Sequence, residues 1–396
     1  MNNLPKLQYR KFAGNKERVI LIDSGYFLID EISRASRNEG VLLENVKLFT
    51  DSNTDPSIQK ESRNEGFFED LLTAIYSFKP DYILTVNLLG FDEKGVLAKL
   101  LSEMNVLVAN WFTDTPFGII KNHYSHDYSN MFSFLWEKNY IPELAAKFKN
   151  HKFYYLPYGS GFAKHDINEK FISKLSFVGN SMKEATHKWK QRINVSDKEI
   201  SFFEKLIFEE PKFDKIPDII DAFTKENRFD NYESSFFYFK GSGLLREKIM
   251  RGLDDVGVKV VIYGDEFWKD YGFKNHEIRR NVNYYSELPY VYSSTKISLN
   301  LTSPQMPTAL NQRVYDCFAC GGFLITDLRD DLNILFEDYP EFNSLEDLIG
   351  KISYFDNNPD EIEKYKFNLT NQILLEHNYS NRLKFISYIL CNYVQN

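Results

Sequence analysis

Short apolar stretches that are typical of buried strands alternate with amphipathic stretches along this chain, and the alternation starts afresh near its middle. In the first half, the stretches predicted as strands are residues 18–23, 81–86, 106–111, 132–135 and 152–157. In the second half they are residues 174–179, 258–263, 297–301 and 323–326. Strands that are separated by helices form parallel sheets covered on both faces. The pattern therefore predicts an α/β protein with two Rossmann-like parallel-sheet domains in series.

Helical spacing fills many of the intervals between these strands. The predicted helices are residues 26–38, 93–103, 142–149, 197–208, 216–225, 243–254 and 311–320, followed by a helical tail over 359–394. A chain of 396 residues is too long for one ordinary core, so two domains are expected. We predict an N-terminal domain over 1–170, a second over 171–375, and a C-terminal helix over 376–396 that packs back toward the first.

Two doubly wound domains in series are expected to face each other across a cleft. In such sheets, ligands bind outside the carboxyl ends of the strands. Phosphate groups are held there by backbone amides at helix N-termini, where the helix dipole favours negative charge. This architecture suits a glycosyltransferase, a sugar-nucleotide epimerase or a two-domain binding protein.

Composition and charge limit the kinds of molecule that this protein is expected to bind. A formal net charge of −8 argues against broad nucleic-acid binding, which needs a basic surface. No window offers 18 consecutive apolar residues, so no transmembrane segment is predicted. A short basic run over 138–152 allows peripheral membrane contact, although a solvated helix face is the preferred explanation. The polar N-terminus and the three cysteines, too few for a disulfide framework, predict a cytoplasmic protein.

The most informative segment runs from a strand at 297–301 through a polar loop into the helix at 311–320. Asn311 and Arg313 lie at the start of this helix, and Asp316 follows one turn later. A guanidinium group at a helix N-terminus suits a diphosphate, because arginine forms paired hydrogen bonds with phosphate oxygens. Asp316 can accept hydrogen bonds from ribose or sugar hydroxyls. The alternative is a surface ion pair between Arg313 and Asp316.

The same segment resembles the E-A-x-A-x-G helix of GT-B glycosyltransferases, with Asp316 in the place of the usual glutamate. Over most of 175–390 the chain is similar to glycosyltransferases of the spore-maturation CgeB type. The matching positions are Tyr284, Glu287–Pro289, Tyr292, Leu299–Asn300, Asn311, Arg313, Tyr315–Asp316, Gly321, Thr326–Asp327 and the run His377–Arg382.

This resemblance implies that Arg313 binds the diphosphate of a nucleotide-sugar donor and that Asp316 binds its ribose or sugar. One position departs from the pattern. Retaining GT-B enzymes carry a second acidic residue eight positions before the helix carboxylate, and this chain has Thr308 there. A retaining mechanism is therefore not implied.

Glycine-containing turns follow two strands of the second half. Gly179, Asn180 and Ser181 come after the strand at 174–179 and resemble the family's entry to the donor domain, although a plain tight turn fits equally. Tyr263 and Gly264 end the next strand, where their backbone is expected to contact the nucleotide.

A further glycine-rich run, residues 240–246, reads as a turn before a helix that could cradle phosphate.

In the first half, Asp114 follows the strand at 106–111 directly, within a W-x-x-D-x-P element that resembles one in the same family. Strand-end loops often carry catalytic groups. Transfer to an acceptor hydroxyl needs a base that takes the proton, and Asp114 is the predicted base. An Asx-type turn before proline is the alternative. His123, His126 and His165 are other candidate bases.

Taken together, these residues predict a GT-B glycosyltransferase that moves a sugar from a nucleotide-diphospho-sugar co-substrate to a hydroxyl of a glycan or protein. No cofactor and no metal ion are expected, since cationic side chains and helix ends stabilise the departing diphosphate in such enzymes. The alternatives are a sugar-nucleotide 2-epimerase and a non-catalytic glycan- or partner-binding protein on the same scaffold.

Overall fold

A computed structural model describes residues 7–26, 28–48, 66–120 and 126–395 of the protein. The chain divides into two compact units. Unit 1 contains the chain up to Pro157 together with the C-terminal segment from Asn378, and unit 2 contains Tyr158–His377.

Unit 1 is built on a six-stranded sheet in which every neighbouring pair of strands is parallel. The strands are β1 (Arg18–Asp23), β2 (Leu42–Lys47), β3 (Tyr82–Val86), β4 (Val108–Phe112), β5 (Met131–Leu135) and β6 (Lys152–Tyr155). The helices are α1 (Leu28–Asn38), α2 (Phe67–Phe78), α3 (Val96–Glu103), α4 (Pro116–Ile120), α5 (Ile141–Lys147) and α15 (Tyr379–Gln395). The strand order is β2-β1-β3-β4-β5-β6.

Apolar side chains cover both faces of this sheet. All five residues of β3, β4 and β5 are buried, as expected for central strands of a covered parallel sheet. On one face, Leu383, Ile386 and Leu390 of α15 join a core cluster with Leu28 and Ile32 of α1. The C-terminal helix is thus part of the core of unit 1.

Unit 2 contains a second six-stranded parallel sheet. Its strands are β7 (Ser173–Val178), β8 (Val261–Tyr263), β9 (Glu277–Arg279), β10 (Thr295–Asn300), β11 (Leu324–Asp327) and β12 (Glu341–Phe342), in the order β12-β11-β10-β7-β8-β9. Its helices are α6 (Lys183–Lys190), α7 (Asp197–Glu209), α8 (Ile216–Glu226), α9 (Asn231–Asp255), α10 (Leu288–Ser294), α11 (Gln312–Ala319), α12 (Leu332–Leu335), α13 (Leu345–Asn357) and α14 (Pro359–Glu376).

The predicted turn at residues 240–246 is wrong, because this run lies inside the 25-residue helix α9. Asp230 caps the helix, accepting from the backbone amides of Tyr232 and Glu233. The glycines of this run instead allow close packing between α9 and neighbouring segments. A Cβ at Gly241 would lie 2.6 Å from Ile220 Cδ1, and one at Gly243 would lie 3.2 Å from the Ser181 carbonyl oxygen.

In both sheets the strand order reverses direction once. From β1 the chain first builds outward to β2 and then resumes at β3 on the other side, and from β7 it builds through β8 to β9 and then resumes at β10. Ligands of open α/β sheets bind at this reversal, outside the carboxyl ends of the two strands. The predicted α/β class with two Rossmann-like sheets is confirmed, and the topology marks one candidate binding position in each unit.

Candidate active site

In unit 2, the reversal lies between β7 and β10, and the segments that follow both strands carry most of the predicted donor residues. Gly179, Asn180 and Ser181 come directly after β7. Asn311 and Arg313 lie at the start of α11, which follows β10. The structure brings the two segments together, because a Cβ built on Gly179 would lie 3.6 Å from Arg313 Nη2.

A second arginine, which the sequence analysis did not assign to the site, lies beside Arg313. Arg246 of α9 is 6% exposed, and its Nη1 donates to the carbonyl oxygen of Asn180 at 2.5 Å. Burial and the positive charge of Arg313 lower the pKa of Arg246 to about 9, so it still carries its charge at neutral pH. The glycine-rich run before Arg246 was the available signal, and the predicted helix over 243–254 already contained this residue, but its contact with the turn after β7 could not be predicted from the sequence.

Within the described residues, neither guanidinium group is neutralised by a direct ion pair. Among the residues that the structure describes, no carboxylate oxygen lies within 4.0 Å of a side-chain nitrogen of Arg246 or Arg313. Asp265 and Asp327 are the nearby acidic residues whose charges act on Arg246. One oxygen of Asp265, Oδ2, accepts from the backbone amide of Ser181 at 2.8 Å, and its charge acts on Arg246 without a direct contact between the two groups in the described part of the chain. Two close guanidinium groups without such a counter-ion favour an anionic ligand.

Tyr263 and Gly264 contribute through the backbone and through packing. The carbonyl oxygen of Tyr263 accepts from the amide of Gly179 at 2.9 Å, which joins the ends of β7 and β8. The Tyr263 side chain is buried, and its hydroxyl accepts from Arg279 Nη1 at 2.8 Å. Gly264 has no room for a side chain, because a Cβ would lie 2.4 Å from the Gly179 oxygen and 2.5 Å from Trp268 Nε1.

We expect Gly264→Ala to lower the free energy of unfolding by about 1–3 kcal/mol, the usual cost of overpacking. The added methyl group meets backbone and an indole ring that itself donates to Gly179. Gly350→Ala is the matched control, since Gly350 lies in α13 and a Cβ there would have no atom of another described residue within 4 Å. The free energy of unfolding of that variant is expected to rise by up to about 1 kcal/mol, because alanine has a higher helix propensity than glycine. Urea denaturation measures both, and equal midpoints would contradict the packing argument.

Asn311 caps α11 and ties it to β10. Its Oδ1 accepts from the backbone amide of Arg313 at 3.1 Å, and its Nδ2 donates to Asn300 Oδ1 at 3.0 Å. Asn300 in turn donates to Thr326 Oγ1 of β11 at 2.9 Å. The side chain of Asn311 therefore fixes the helix start that carries Arg313.

Asp316 is 1% exposed, which excludes the alternative of a surface ion pair with Arg313. Its Oδ1 accepts from the Ser160 hydroxyl at 2.7 Å, and its Oδ2 accepts from the Tyr284 hydroxyl at 2.8 Å. Tyr284 also accepts from Gln312 Nε2 at 2.8 Å. The carboxylate thus joins α11 to the segments around Ser160 and Tyr284, and its assignment to the donor ribose or sugar stays a prediction.

Thr308, the position where an acidic residue was expected, is buried, and its carbonyl oxygen accepts from the amide of Asp331 at 3.1 Å.

In the same region, Arg329 forms an ion pair of 2.9 Å with Asp327, and both side chains are almost fully buried. Sequence analysis did not find this pair. Asp327 Oδ1 also accepts from the amide of Thr302 at 2.8 Å, so the pair anchors the loop between β10 and α11.

In unit 1, Asp114 lies just beyond β4, next to the reversal between β1 and β3. The carboxylate is exposed to solvent. Its Oδ2 accepts from the Tyr26 hydroxyl at 2.7 Å and from Asn87 Nδ2 at 2.8 Å. Tyr26 follows β1 and Asn87 follows β3, so three neighbouring strands each deliver one of these groups.

The histidines considered as alternative bases are placed differently. His126 is buried against Phe91, and the ring Nδ1 of His165 lies 2.7 Å from the carbonyl oxygen of Ala163. His123 lies outside the described residues. Asp114 therefore stays the predicted base.

The described part of the chain offers neither a cluster of metal ligands nor a helix suited to a bilayer. No group of three or more histidine, cysteine, aspartate or glutamate residues in this part of the chain is placed to hold a metal ion. None of the described helices has the length and apolar character needed to cross a membrane.

Comparison with known proteins adds a family match. Residues 246–387 match the family described as "Glycosyl transferase-like", a segment that includes Arg246, Gly264, Asn311, Arg313 and Asp316. No curated protein sequence matches the chain.

Solved structures extend the likeness to nearly the whole chain. An α-glucosyltransferase in complex with UDP and a 13-mer DNA is 12% identical, with a TM-score of 0.55 over 95% of this chain and 100% of the other. The DNA-modifying β-glucosyltransferase is 10% identical, with a TM-score of 0.48 over 94% and 99%. A UDP-forming trehalose-phosphate synthase from Burkholderia xenovorans is 9% identical, with a TM-score of 0.47 over 96% and 99%.

The first of these structures shows that the fold is that of GT-B glycosyltransferases. With the family match, the prediction of a glycosyltransferase is confirmed at the level of the domain and the fold.

Proposed function

We propose that the protein is a metal-independent glycosyltransferase that moves a sugar from a nucleotide-diphospho-sugar to a hydroxyl of a glycan or protein acceptor. The observation that carries this proposal is the pair of guanidinium groups, Arg246 and Arg313, at the reversal of the sheet in unit 2. The spore-maturation CgeB type is the proposed subfamily, on the motifs around Asn311–Asp327.

The donor diphosphate is placed against Arg313, Arg246 and the turn Gly179–Ser181. Arginine pairs with phosphate oxygens in a bidentate manner, and the two charges together match a group that carries two negative charges. Positive charge at this place is also what the reaction needs, because the nucleoside diphosphate leaves with its bond electrons and gains negative charge in the transition state. Asp316 is the proposed partner of the ribose or donor sugar.

The acceptor is placed in unit 1 beside Asp114. An acceptor hydroxyl oxygen forms the new bond to the anomeric carbon, the bond to the diphosphate oxygen breaks, and the hydroxyl proton passes to the Asp114 carboxylate. A single displacement of this kind inverts the anomeric configuration. An inverting outcome agrees with the sequence, because Thr308 occupies the position where retaining enzymes have a second acidic residue.

A glycan or protein acceptor is preferred over nucleic acid because the net charge of −8 opposes binding to a phosphate backbone. The α-glucosyltransferase of similar fold was solved with DNA, so a DNA acceptor is the comparison that the experiment must include. The cytoplasm is the proposed location, since Cys317, Cys320 and Cys391 are all free thiols.

A thermal-shift screen with UDP-, GDP-, dTDP- and CMP-sugars tests the donor assignment. A ligand that binds only the native state, present at a concentration of 100 times its Kd, raises the free energy of unfolding by about 2.7 kcal/mol. We expect a nucleoside-diphosphate sugar to raise the Tm clearly and a CMP-sugar, which has a single phosphate, to have little effect. Incubation of the best donor with glycan, protein and DNA acceptors, followed by mass spectrometry, identifies the product.

Failure of every nucleotide sugar to raise the Tm would contradict the proposed function. Release of an epimerised free sugar and nucleotide from the donor alone would instead identify an epimerase.

A further inference from the structure

Tyr26, Asn87, Thr113 and Asp114 form a polar cluster at the strand ends of unit 1, and Asn87 has an unusual backbone conformation within it. Asn87 follows β3 with φ of 53°, and Leu88 follows with φ of 55°. Two consecutive left-handed residues other than glycine are costly, although asparagine tolerates this conformation better than most. Such strain persists only where the surrounding structure holds it in place.

A buried chain of hydrogen bonds holds this turn. Asn110 Oδ1 accepts from the amide of Leu88 at 2.7 Å, and Asn110 Nδ2 donates to Ser133 Oγ at 3.1 Å. Ser133 Oγ lies 2.8 Å from His151 Nε2, and all three side chains are buried. Burial lowers the pKa of His151 to about 3, so the imidazole is neutral at physiological pH and adds no charge beneath the site.

Held in this way, the Asn87 amide contacts the end of β4 with both of its polar atoms. Asn87 Oδ1 accepts from the backbone amides of Thr113 at 2.8 Å and of Asp114 at 3.3 Å. Asn87 Nδ2 donates to Thr113 Oγ1 at 2.9 Å and to Asp114 Oδ2 at 2.8 Å. One side chain therefore fixes both the backbone that carries Asp114 and one oxygen of its carboxylate.

Tyr26 supplies a second donor to the same carboxylate oxygen. Burial, and then the negative charge of Asp114, raise the pKa of the Tyr26 phenol well above its ordinary value, so the hydroxyl keeps its proton. Hydrogen bonds to an ionised acceptor are roughly twice as strong as those between neutral groups. Two of them on one oxygen hold the carboxylate in a single orientation.

We propose that Asn87 is a positioning residue for glycosyl transfer, whose donated hydrogen bond orients the Asp114 carboxylate toward the acceptor hydroxyl. This inference rests on the proposed function, in which Asp114 is the base. The contribution of Asn87 is geometric, because a catalytic group displaced by about 1 Å loses much of its effect on the rate. The proposed donor residues belong to unit 2, so the effect of Asn87 is expected in the transfer step and not in donor affinity.

Two substitutions separate orientation of the carboxylate from support of the backbone. Asn87→Asp keeps an acceptor oxygen for the Thr113 and Asp114 amides and tolerates the left-handed conformation, but it replaces the donating amide nitrogen by a carboxylate oxygen that repels Asp114 when both groups are ionised. Asn87→Gly removes both functions. Asn105→Asp is the matched control, because Asn105 is an exposed asparagine of the same unit with φ of 58°.

The rate to measure is nucleotide release from UDP-glucose with water as acceptor, or from whichever sugar of the UDP-, GDP-, dTDP- and CMP- panel the wild type turns over fastest. We expect Asn87→Asp to lower kcat about tenfold while the donor KM changes less than twofold, because only a group beside the acceptor is misplaced. Asn105→Asp is expected to match the wild type in kcat, donor KM and Tm.

Two results would overturn the inference while leaving the proposed function intact. One is an Asn87→Asp variant with wild-type kcat beside an impaired Asn87→Gly variant, which would limit Asn87 to supporting the backbone. The other is an equal loss in kcat and donor affinity with a lowered Tm, which indicates a general structural role. A wild-type protein that releases nucleotide from none of the panel, whether the acceptor is water or one of the glycan, protein and DNA acceptors, contradicts the proposed function itself, and this inference with it.

Discussion

Replacing Asp114 by asparagine is expected to lower kcat for sugar transfer by about 10²- to 10⁴-fold, the usual contribution of a positioned general base. The amide keeps the shape of the side chain and accepts the hydrogen bond of Tyr26, but it cannot take a proton from an acceptor hydroxyl. Donor affinity is expected to stay within twofold of the wild type, because the proposed donor residues lie in unit 2. Product formation by mass spectrometry gives kcat, and calorimetry gives the donor Kd.

Asp30→Asn is a suitable control for this variant. Asp30 is exposed on α1 of the same unit, so the substitution removes the same charge at a place outside the polar cluster. Wild-type rates are expected there. A full transfer rate in Asp114→Asn would show that another group accepts the proton. It would also contradict the proposal that Asn87 orients Asp114 as the catalytic base.

The central strands of both sheets could be predicted because each is a run of apolar, mostly β-type residues bounded by turn residues. The strands that sequence analysis missed lie at or near sheet edges. Only Val46 is fully buried in β2, all three residues of β9 are half-buried, and β12 has two residues. Their pairing depends on a neighbouring strand more than on their own sequence.

The candidate donor site was predictable only where its residues are close in sequence. Asn311 and Arg313 stand together at a helix start, so the motif and the chemistry agreed. Arg246 joins them from α9, which the chain reaches after three further helices, and no local pattern links it to Gly179. Asn87 was missed for a different reason, since an asparagine after a strand ordinarily indicates a turn. Its proposed role depends on its backbone angles and on its contacts with the residues that follow β4.

Replacing Arg313 by glutamine is expected to weaken binding of the nucleotide sugar about 100-fold. A charge-assisted hydrogen bond contributes about 1.5–3 kcal/mol, and glutamine provides neither the charge nor the paired donors. The same substitution is expected to leave the Tm of the ligand-free protein unchanged or higher, because the charge of Arg313 acts unfavourably on the buried Arg246. Opposite effects on affinity and stability distinguish a binding residue from a structural one.

Calorimetry with the donor found in the thermal-shift screen measures the affinity, and thermal unfolding without ligand measures the stability. Arg251→Gln is the matched control, since Arg251 lies on α9 with Arg246 but is half-exposed and paired with Glu247 at 2.8 Å. Arg246→Gln should weaken donor binding as well. The double variant should lose less than the sum of both free energies if the two groups contact the same diphosphate, since neighbouring residues that share a partner are not additive. An Arg313→Gln variant with wild-type donor affinity would show that the diphosphate binds elsewhere.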